Sequence, residues 1–325
     1  MPRNAKLYST RFEGSSHSFK HILHYVPFRA AEKIDASSQP MMEIPSEDTI
    51  TSSSNSLLDQ ELAHVALNPS AKQTVVLLHG IFCSNLEFAL VAPHLTDYHL
   101  LIVDMPAHSG SRQIKPFTPA NAARHVANLI RKHAHGGKAH VVGLSAGGFV
   151  ALQLGADFSD VALSIWATGA TPFKGWQRQI VKWPRVLYTL IGLQLYVPYW
   201  IYDRISKATG LLEHDELRKV QQENFTWELL AGGYGSIAEM TVEDSMTALA
   251  TSRLRTLLLI GEAMDDAPTA KEMANLLRAE GASDSQAVLV KKAQHPWDLQ
   301  FPELFAKSIR AFIEGEPQPE GIEPL

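Results

Sequence analysis

In the middle of this 325-residue chain runs Val141-Val142-Gly143-Leu144-Ser145-Ala146-Gly147-Gly148-Phe149-Val150, the stretch that decides its fold. An apolar, β-rich run enters Gly-x-Ser-x-Gly, and a helix-compatible segment follows at once. A strand that turns so sharply into a helix holds the central serine in a strained conformation, with its hydroxyl clear of the sheet. Gly143 and Gly147 stand where a side chain would collide in so tight a turn. The stretch therefore predicts that Ser145 is a nucleophile.

Further apolar runs on both sides of the serine predict a sheet with intervening helices. The runs are Thr74 to Leu78, Leu100 to Val103, Ala139 to Val142, Val161 to Trp166, Thr256 to Ile260 and Ala287 to Val290. Continuous apolar runs are typical of strands that are covered on both faces in a parallel sheet. The spacing leaves room for a helix after most runs, and Thr118-Pro119 has the pattern of a cap and first-turn proline. This alternation predicts an α/β fold with a mostly parallel central sheet flanked by helices.

The predicted core is interrupted once. Residues 171–250 are rich in Trp, Tyr and Leu and break the alternation, which predicts a helical insertion between two core segments, 57–170 and 251–314. Residues 1–56 end in a serine-rich stretch with few large apolar groups, so we expect a poorly ordered or peripheral segment. The acidic, proline-bearing residues 315–325 predict a disordered tail.

Composition excludes several classes of protein. The net charge of −5 and the pI of about 6.3 leave no basic face for nucleic acid. A single cysteine, Cys83, excludes an intramolecular disulfide and a zinc site built on several thiolates. Because the first thirty residues lack a continuous apolar segment, we expect a cytoplasmic protein, with a weaker organellar alternative from their five Lys and Arg. We predict no metal, no cofactor and no stable membrane span, and the oligomeric state stays open.

A serine hydroxyl needs a base to take its proton and donors to stabilise the oxyanion that forms on the attacked carbonyl. His295 is the predicted base, because it follows the last apolar run, where a loop leaves the imidazole free at the sheet edge. The backbone N–H of Ala146, directly after the nucleophile, is one predicted oxyanion donor. The other should come from the loop after the first central strand, with Ile81 preferred and Phe82 as the alternative.

Together these motifs resemble the α/β-hydrolase superfamily over residues 72–314. The superfamily combines a His-Gly oxyanion loop, here His79-Gly80, with the serine elbow, a later acid and a final histidine. A further family pattern, Asp-x-Pro-x-His-x-x-Ser, is matched by Asp104, Pro106, His108 and Ser111, with Ala107 and Ser109 where glycines are usual. The resemblance implies that the insertion at 171–250 is a cap over the site.

The departure from the family pattern is at the acid. Gly261-Glu262-Ala263-Met264 places methionine where the family carries aspartate, and Asp265 and Asp266 come next. A loop longer by one residue would bring either carboxylate to the histidine. We therefore predict Asp265 as the partner of His295, with Asp266 as the alternative and Glu262 too remote.

The predicted function is that of a serine hydrolase that cleaves an ester, lactone or thioester of a mid-sized apolar substrate through an acyl-enzyme. A carbon–carbon bond hydrolase or biosynthetic enzyme on the same scaffold is one alternative, and a non-catalytic ligand-binding member is another. The cap offers Trp176, Trp183 and Trp200 as candidate substrate contacts. Its apolar run Val186 to Tyr202 is too short and broken to cross a bilayer, so a packed helix pair is the favoured interpretation over a membrane contact.

Overall fold

The computed structural model describes residues 60–212, 215–263 and 265–325, so the predicted peripheral segment 1–56 lies outside the described residues. One eight-stranded sheet organises this part of the chain. Its strands are β1 His64–Leu67, β2 Thr74–Leu78, β3 His99–Val103, β4 Ala139–Leu144, β5 Ala162–Thr168, β6 Thr256–Gly261, β7 Gln286–Val290 and β8 Ile322–Pro324. Their spatial order is β1-β3-β2-β4-β5-β6-β7-β8. The six inner strands pair in parallel, whereas β1 and β8 are antiparallel to their neighbours. The predicted α/β class is confirmed.

Ten α-helices are described. They are α1 Pro119–His133, α2 Ala146–Asp157, α3 Gly175–Val181, α4 Pro184–Leu195, α5 Tyr199–Thr209, α6 Asp215–Asn224, α7 Trp227–Glu239, α8 Val242–Thr251, α9 Ala267–Ala279 and α10 Pro302–Glu314. Helix α1 begins as its sequence predicts, since Thr118 accepts a hydrogen bond from the N–H of Asn121 and Pro119 occupies the first turn.

Two apolar cores lie on the two faces of the sheet. Residues of β2, β3, β4 and β6 are buried along their whole length, because both faces are covered. Helices α1, α2, α8 and α9 contribute to one core. The other core contains α10 and a cluster of three large aromatic side chains, Trp166, Trp297 and Phe305. The parallel strands are thereby held so that their carboxyl ends share one edge.

The helical run after β5 divides into two parts. Helices α3 to α7 occupy the predicted insertion, and we call them the cap. Helix α8 packs instead against α2 and α9, with Met246, Leu249 and Ala250 fully buried. A Cβ on Gly155 of α2 would lie 2.6 Å from Leu249 Cδ1, so these two helices are in close contact. Helix α8 is therefore part of the layer that covers the sheet, although the predicted insertion extended to residue 250.

The carboxyl-terminal tail corrects one expectation. Residues 315–325 were expected to be disordered, but β8 pairs with β7 in the register Val288 to Pro324 and Val290 to Ile322. The side chain of Ile322 is buried in the core that contains α10. Burial of this one apolar residue and edge pairing with β7 explain the order of a segment whose composition is otherwise polar.

Candidate active site

The turn between β4 and α2 has the geometry of a nucleophile elbow. Ser145 lies between them with φ 54° and ψ −118°, a conformation that a residue with a side chain adopts only under constraint. A Cβ on Gly143 would lie 2.2 Å from the carbonyl oxygen of Gly147, and a Cβ on Gly147 would lie 2.1 Å from that of Leu78. Only glycine fits at either position, as the sequence predicted.

Hydrogen bonds to two neighbouring strands hold this turn. The N–H of Ser145 donates to the carbonyl of Thr168 at the end of β5, at 2.8 Å. The N–H of Gly147 donates to the carbonyl of His79 just beyond β2, at 3.0 Å. These bonds fix the strained serine from both sides, so that its position is set by the sheet and not by a free loop.

His295 and Asp265 form a hydrogen-bonded pair at the same edge. His295 Nδ1 lies 2.7 Å from Asp265 Oδ1, and the second carboxylate oxygen of Asp265 accepts from the N–H of Gly261 at 2.8 Å. Burial acts to lower the pKa of His295, but the hydrogen bond and charge of Asp265, with a smaller contribution from Glu87, outweigh it and raise that pKa above its ordinary value. A carboxylate on Nδ1 leaves Nε2 as the nitrogen that can accept a proton.

The other two acids of this loop are engaged elsewhere. Asp266 caps α9, where its carboxylate accepts from the N–H of Thr269 at 3.1 Å and from the hydroxyl of the same residue at 2.7 Å. Glu262 accepts from the N–H of Lys292 at 2.7 Å. The structure thus brings Asp265, and neither neighbour, to the histidine. One more residue in the loop than the family pattern has is enough to move the acid by one position.

Ser145 and His295 both lie beside the end of β5. The backbone of Ser145 is bonded to Thr168, and a Cβ on the next residue, Gly169, would lie 2.5 Å from Cε1 of the His295 ring. Gly169 has a φ of 63°, so this position needs glycine for its conformation and for the close approach of the imidazole. The indole of Trp297 donates to Thr168 Oγ1 at 2.8 Å and anchors the loop that carries the histidine.

The loop after β2 supplies one candidate oxyanion donor and excludes another. The N–H of Phe82 donates to His108 Nε2 at 3.1 Å, so the alternative donor of the sequence analysis is already used. Within the described part of the chain no acceptor is bonded to the N–H of Ile81. Ala146 is the first residue of α2, where a helix leaves its N–H groups without an intrahelical acceptor. The backbone N–H groups of Ile81 and Ala146, the preferred pair, are therefore both free to bind an oxyanion.

Two buried histidines support this loop as neutral rings. His79 Nδ1 lies 2.7 Å from the carbonyl of Gly80, and its Nε2 accepts from the N–H of Met105 at 3.0 Å. His108 Nδ1 lies 2.8 Å from the carbonyl of Pro106. Burial lowers the pKa of His79 well below its ordinary value and that of His108 to about 4. Neither is placed to act as a base, and both tie the oxyanion loop to the segment after β3.

A buried asparagine from the cap joins the same two loops, and sequence reasoning missed it. Asn224, at the end of α6, donates to the carbonyls of Phe82 and Cys83 at 3.1 and 2.8 Å and accepts from the N–H of Ser109 at 2.9 Å. Its amide also bonds the Ser109 hydroxyl at 2.9 Å. Ser109 and Ala107 have positive φ, 38° and 65°, at the places where the family has glycine. The Asn224 contacts give one physical reason why serine is tolerated there.

Two buried acids behind the site were also missed. Glu87 accepts from the N–H of Gly80 at 2.5 Å, and its carboxylate lies within about 4 Å of the position that a Gly80 Cβ would take beside Ser145. Asp298 is fully buried, and neither of its carboxylate oxygens has a hydrogen-bond partner among the described residues. Burial raises the pKa of both acids, and the Glu87 charge raises that of Asp298 further.

The cap covers the oxyanion loop with residues other than the predicted tryptophans. Trp176, Trp183 and Trp200 are 73%, 67% and 65% exposed. The rings that approach Phe82 instead are Phe225, at 5.2 Å between centroids, and Tyr234, at 6.5 Å. The tryptophans were singled out by residue type alone, which cannot tell the inner face of a cap helix from the outer one.

One group of side chains could hold a metal, and its members come from β1, from the residues before it and from α1. Ligand atoms of Glu61, His64 and His133 lie within 4.8 Å of one another, the only such group among residues 60–212, 215–263 and 265–325. The Glu61 carboxylate is already bonded by Lys132 and by His133. These interactions account for the cluster without a metal, and none of the group touches the elbow.

The strand order, the strained serine turn and the histidine–aspartate pair at the carboxyl edge define an α/β protein of the nucleophile-elbow class. Residues 75–308 match the model of the alpha/beta hydrolase family, and the chain belongs to that family. An AB hydrolase superfamily protein of Gibberella zeae is 28% identical in an alignment of 293 residues that covers 86% of this chain and 94% of the relative.

Solved structures share the fold at low sequence identity. An esterase from Thermogutta terrifontis is 22% identical, with a TM-score of 0.57 over 78% of this chain and 93% of its own. An enol-lactonase from Burkholderia xenovorans is 16% identical, with a TM-score of 0.57 over 78% of this chain and 96% of its own. No helix in the described ranges is long and apolar enough to cross a membrane.

Proposed function

We propose that the protein is a serine hydrolase that cleaves an ester, lactone or thioester through an acyl-enzyme. The observation that carries the proposal is the pairing of His295 with Asp265 at the sheet edge where Ser145 is held in its elbow. Membership of the alpha/beta hydrolase family supports hydrolysis as the reaction. The finer assignments, namely the nucleophile, the base and the acyl-enzyme, are ours.

In this mechanism His295 Nε2 takes the proton of the Ser145 hydroxyl as the oxygen attacks the substrate carbonyl. Asp265 holds the ring in the tautomer that leaves Nε2 free, and its charge stabilises the imidazolium that forms. The N–H groups of Ile81 and Ala146 would bind the oxyanion. Collapse of the tetrahedral intermediate passes the proton to the leaving group, and water then hydrolyses the acyl-enzyme by the same steps.

The proposed substrate is an acyl compound of moderate size with an apolar body. Phe82, Phe225 and Tyr234 form an aromatic layer over the oxyanion loop, and such surfaces suit apolar acyl groups. An esterase and an enol-lactonase stand among the similar structures, which is consistent with ester and lactone chemistry. A cytoplasmic location is part of the proposal, because a single buried cysteine suits a reducing compartment.

Two measurements test the proposal. A fluorophosphonate probe should label the purified protein at Ser145, and no label should appear on Ser145→Ala. A panel of p-nitrophenyl esters, lactones, acyl thioesters and vinylogous diketones should then show turnover in the first three classes. Labelling with diketone cleavage alone would favour the carbon–carbon hydrolase, and no labelling at all would favour a ligand-binding protein.

A further inference from the structure

Helix α4 of the cap carries more apolar surface than the fold uses. Its inner stripe, which includes Leu187, Ile191 and Leu195, is partly buried against the core that contains α1, α2, α8 and α9. No residue of the helix is fully buried. An ordinary amphipathic helix has one apolar stripe toward the core and polar side chains on the opposite side. Helix α4 departs from this pattern on its outer side.

The outer side of α4 and the adjacent α3 forms an exposed apolar surface, which we call the outer cap face. Its members are Trp176, Trp183, Val186, Leu190, Leu193 and Tyr196. Their exposed fractions run from 46% to 73%. From residue 183 to residue 193 they recur at steps of three and four, so they lie along one side of the helix. Helices α3 and α4 are in contact, which makes the surface continuous between them. Contiguous exposed apolar surface of this kind marks an interaction site.

The same segment is cationic although the chain as a whole is acidic. Residues 171–202 contain four basic residues, Lys174, Arg178, Lys182 and Arg185, and no Asp or Glu. Lys174 pairs with Glu272. The other three are exposed, and within the described part of the chain none of them forms an ion pair. A partner for this face must therefore bury tryptophan and leucine side chains and carry negative charge.

We propose that the outer cap face docks on an anionic membrane surface, with α4 lying in the interfacial plane. Apolar and aromatic side chains on one helix face with flanking Lys and Arg are the features of interfacial helices. A second copy of the chain fits less well. A two-fold contact would set each basic cluster against its own copy, and like charges oppose such a contact.

The docking face lies close to the proposed catalytic edge. Tyr188 of α4 stacks on Phe225 with 4.3 Å between ring centroids, and Phe225 contacts Phe82 beside the oxyanion loop. A cavity of about 360 Å³ lies between α4 and Phe225, lined in part by Gly192 and Leu193. A bilayer on this face would thus hold lipid acyl groups two aromatic rings from the oxyanion loop. Delivery of a lipid-borne ester rests on the proposed function, whereas docking does not.

The charge requirement is tested by sedimentation of the full chain with vesicles of phosphatidylcholine alone or with about 30% phosphatidylserine. Each basic side chain near an anionic surface contributes about fivefold to partitioning, so Arg178→Gln/Lys182→Gln/Arg185→Gln should lower it about a hundredfold. The matched control, Lys72→Gln/Arg124→Gln/Lys138→Gln, neutralises three exposed basic residues outside the cap and should change it less than about threefold.

The apolar requirement is tested with Leu190→Ser, which should lower partitioning about tenfold. Its control is Leu163→Ser, since Leu163 is an exposed leucine near the start of β5, at the other edge of the sheet. The tryptophan emission of the wild type should shift to the blue on addition of anionic vesicles, because Trp176 and Trp183 would leave water. Lipids with a brominated acyl chain should quench that emission.

Three results would overturn docking: no binding of the wild type to anionic vesicles, equal losses in the cap and control variants, or a dimer in solution that Leu190→Ser converts to monomer. The last result would assign the face to a second copy. Ser145→Ala should bind vesicles as the wild type does. A wild-type protein that binds anionic vesicles but hydrolyses no substrate of the panel would therefore contradict only the catalytic proposal, and one that hydrolyses the panel without binding vesicles would contradict only the docking proposal.

Discussion

The carboxyl edge of the sheet and the outer face of the cap use their side chains in opposite ways. At the edge, Ser145, Asp265 and His295 are held by strand ends and by hydrogen bonds of 2.7 to 2.8 Å. On the outer cap face, large apolar groups such as Trp183 and Leu190 are exposed and contribute little to a core. Both arrangements cost stability, one through strain and buried charge, the other through apolar surface left in water.

The contrast follows from the different requirements of the two proposed activities. Chemistry needs fixed distances, so its residues lie on rigid elements with supporting hydrogen bonds. A surface for a lipid bilayer needs only the right composition on one side of a helix. Asn224 connects the cap with the carboxyl edge, because it ends α6 and bonds the loop that carries Ile81 and Phe82.

Replacement of the nucleophile should have the largest effect and should leave the fold intact. In related triads, loss of the serine lowers turnover by about six powers of ten, so Ser145→Ala should show no hydrolysis above background. Its thermal midpoint should stay within about 2 °C of the wild type, because little apolar surface is lost. Assays of the purified protein measure the rate of hydrolysis, and circular dichroism provides the folding control. Retained turnover would remove Ser145 from the mechanism.

Two adjacent aspartates provide the next test, since only one of them reaches the histidine. Asp265→Asn should lower kcat by at least about a hundredfold, because the imidazole loses both its tautomer and its counter-charge. Asp266→Asn should cost less than about tenfold, because asparagine also caps a helix well. Steady-state kinetics on both variants compare them directly. The reverse ranking would mean that the loop rearranges in solution.

The pH dependence should report the Asp265–His295 interaction. The reaction needs neutral His295, so kcat/KM should fall as pH drops through the pKa of that residue. Asp265 and, more weakly, Glu87 raise this pKa above its ordinary value against the effect of burial. Asp265→Asn should therefore move the acid limb toward lower pH, even though the remaining activity is small. An unchanged limb would show that another group controls the titration.

The contact between cap and edge should have a smaller effect. Asn224→Ala would leave the carbonyls of Phe82 and Cys83 and the N–H of Ser109 without their partner. An unsatisfied buried polar group costs about 1 to 3 kcal/mol, so the free energy of unfolding should fall by that amount or somewhat more. We expect kcat to fall about tenfold, as the oxyanion loop loses its support. Urea unfolding and kinetics check both values, and Gln222→Ala, on the same helix, is the control.

Much of the sheet could be predicted because its signal is local. Apolar runs such as Thr74 to Leu78 are buried on both faces, and their limits agree with the strands to within a residue or two. Strands β1 and β8 were missed because they are only four and three residues long and partly exposed, which is too short for an apolar run to stand out. For the same reason the tail gave no signal beyond its polar composition, and pairing with β7 together with burial of Ile322 orders it.

The residues of the candidate site also divide into those that could be predicted from local sequence and those that could not. Ser145, Ala146 and His295 could be predicted because each has a fixed relation to a strand end. Asn224 and Glu87 could not, because they come from separate parts of the chain and their roles depend on tertiary contacts. Which side of α4 faces inward could not be predicted either, since both of its sides are apolar.

The smallest expected effect is on the stability of variants at the outer cap face. Leu190 is half exposed, so Leu190→Ala should change the free energy of unfolding by less than about 0.5 kcal/mol. Leu230, in helix α7 of the same cap, is fully buried and provides the contrast. Leu230→Ala should lower the free energy of unfolding by about 2 to 5 kcal/mol. Urea unfolding without lipid measures both. A loss above about 1 kcal/mol in Leu190→Ala would show that the side chain of Leu190 is covered in the free protein. Dependence of that loss on protein concentration would identify a second copy, because only an intermolecular contact is weakened by dilution.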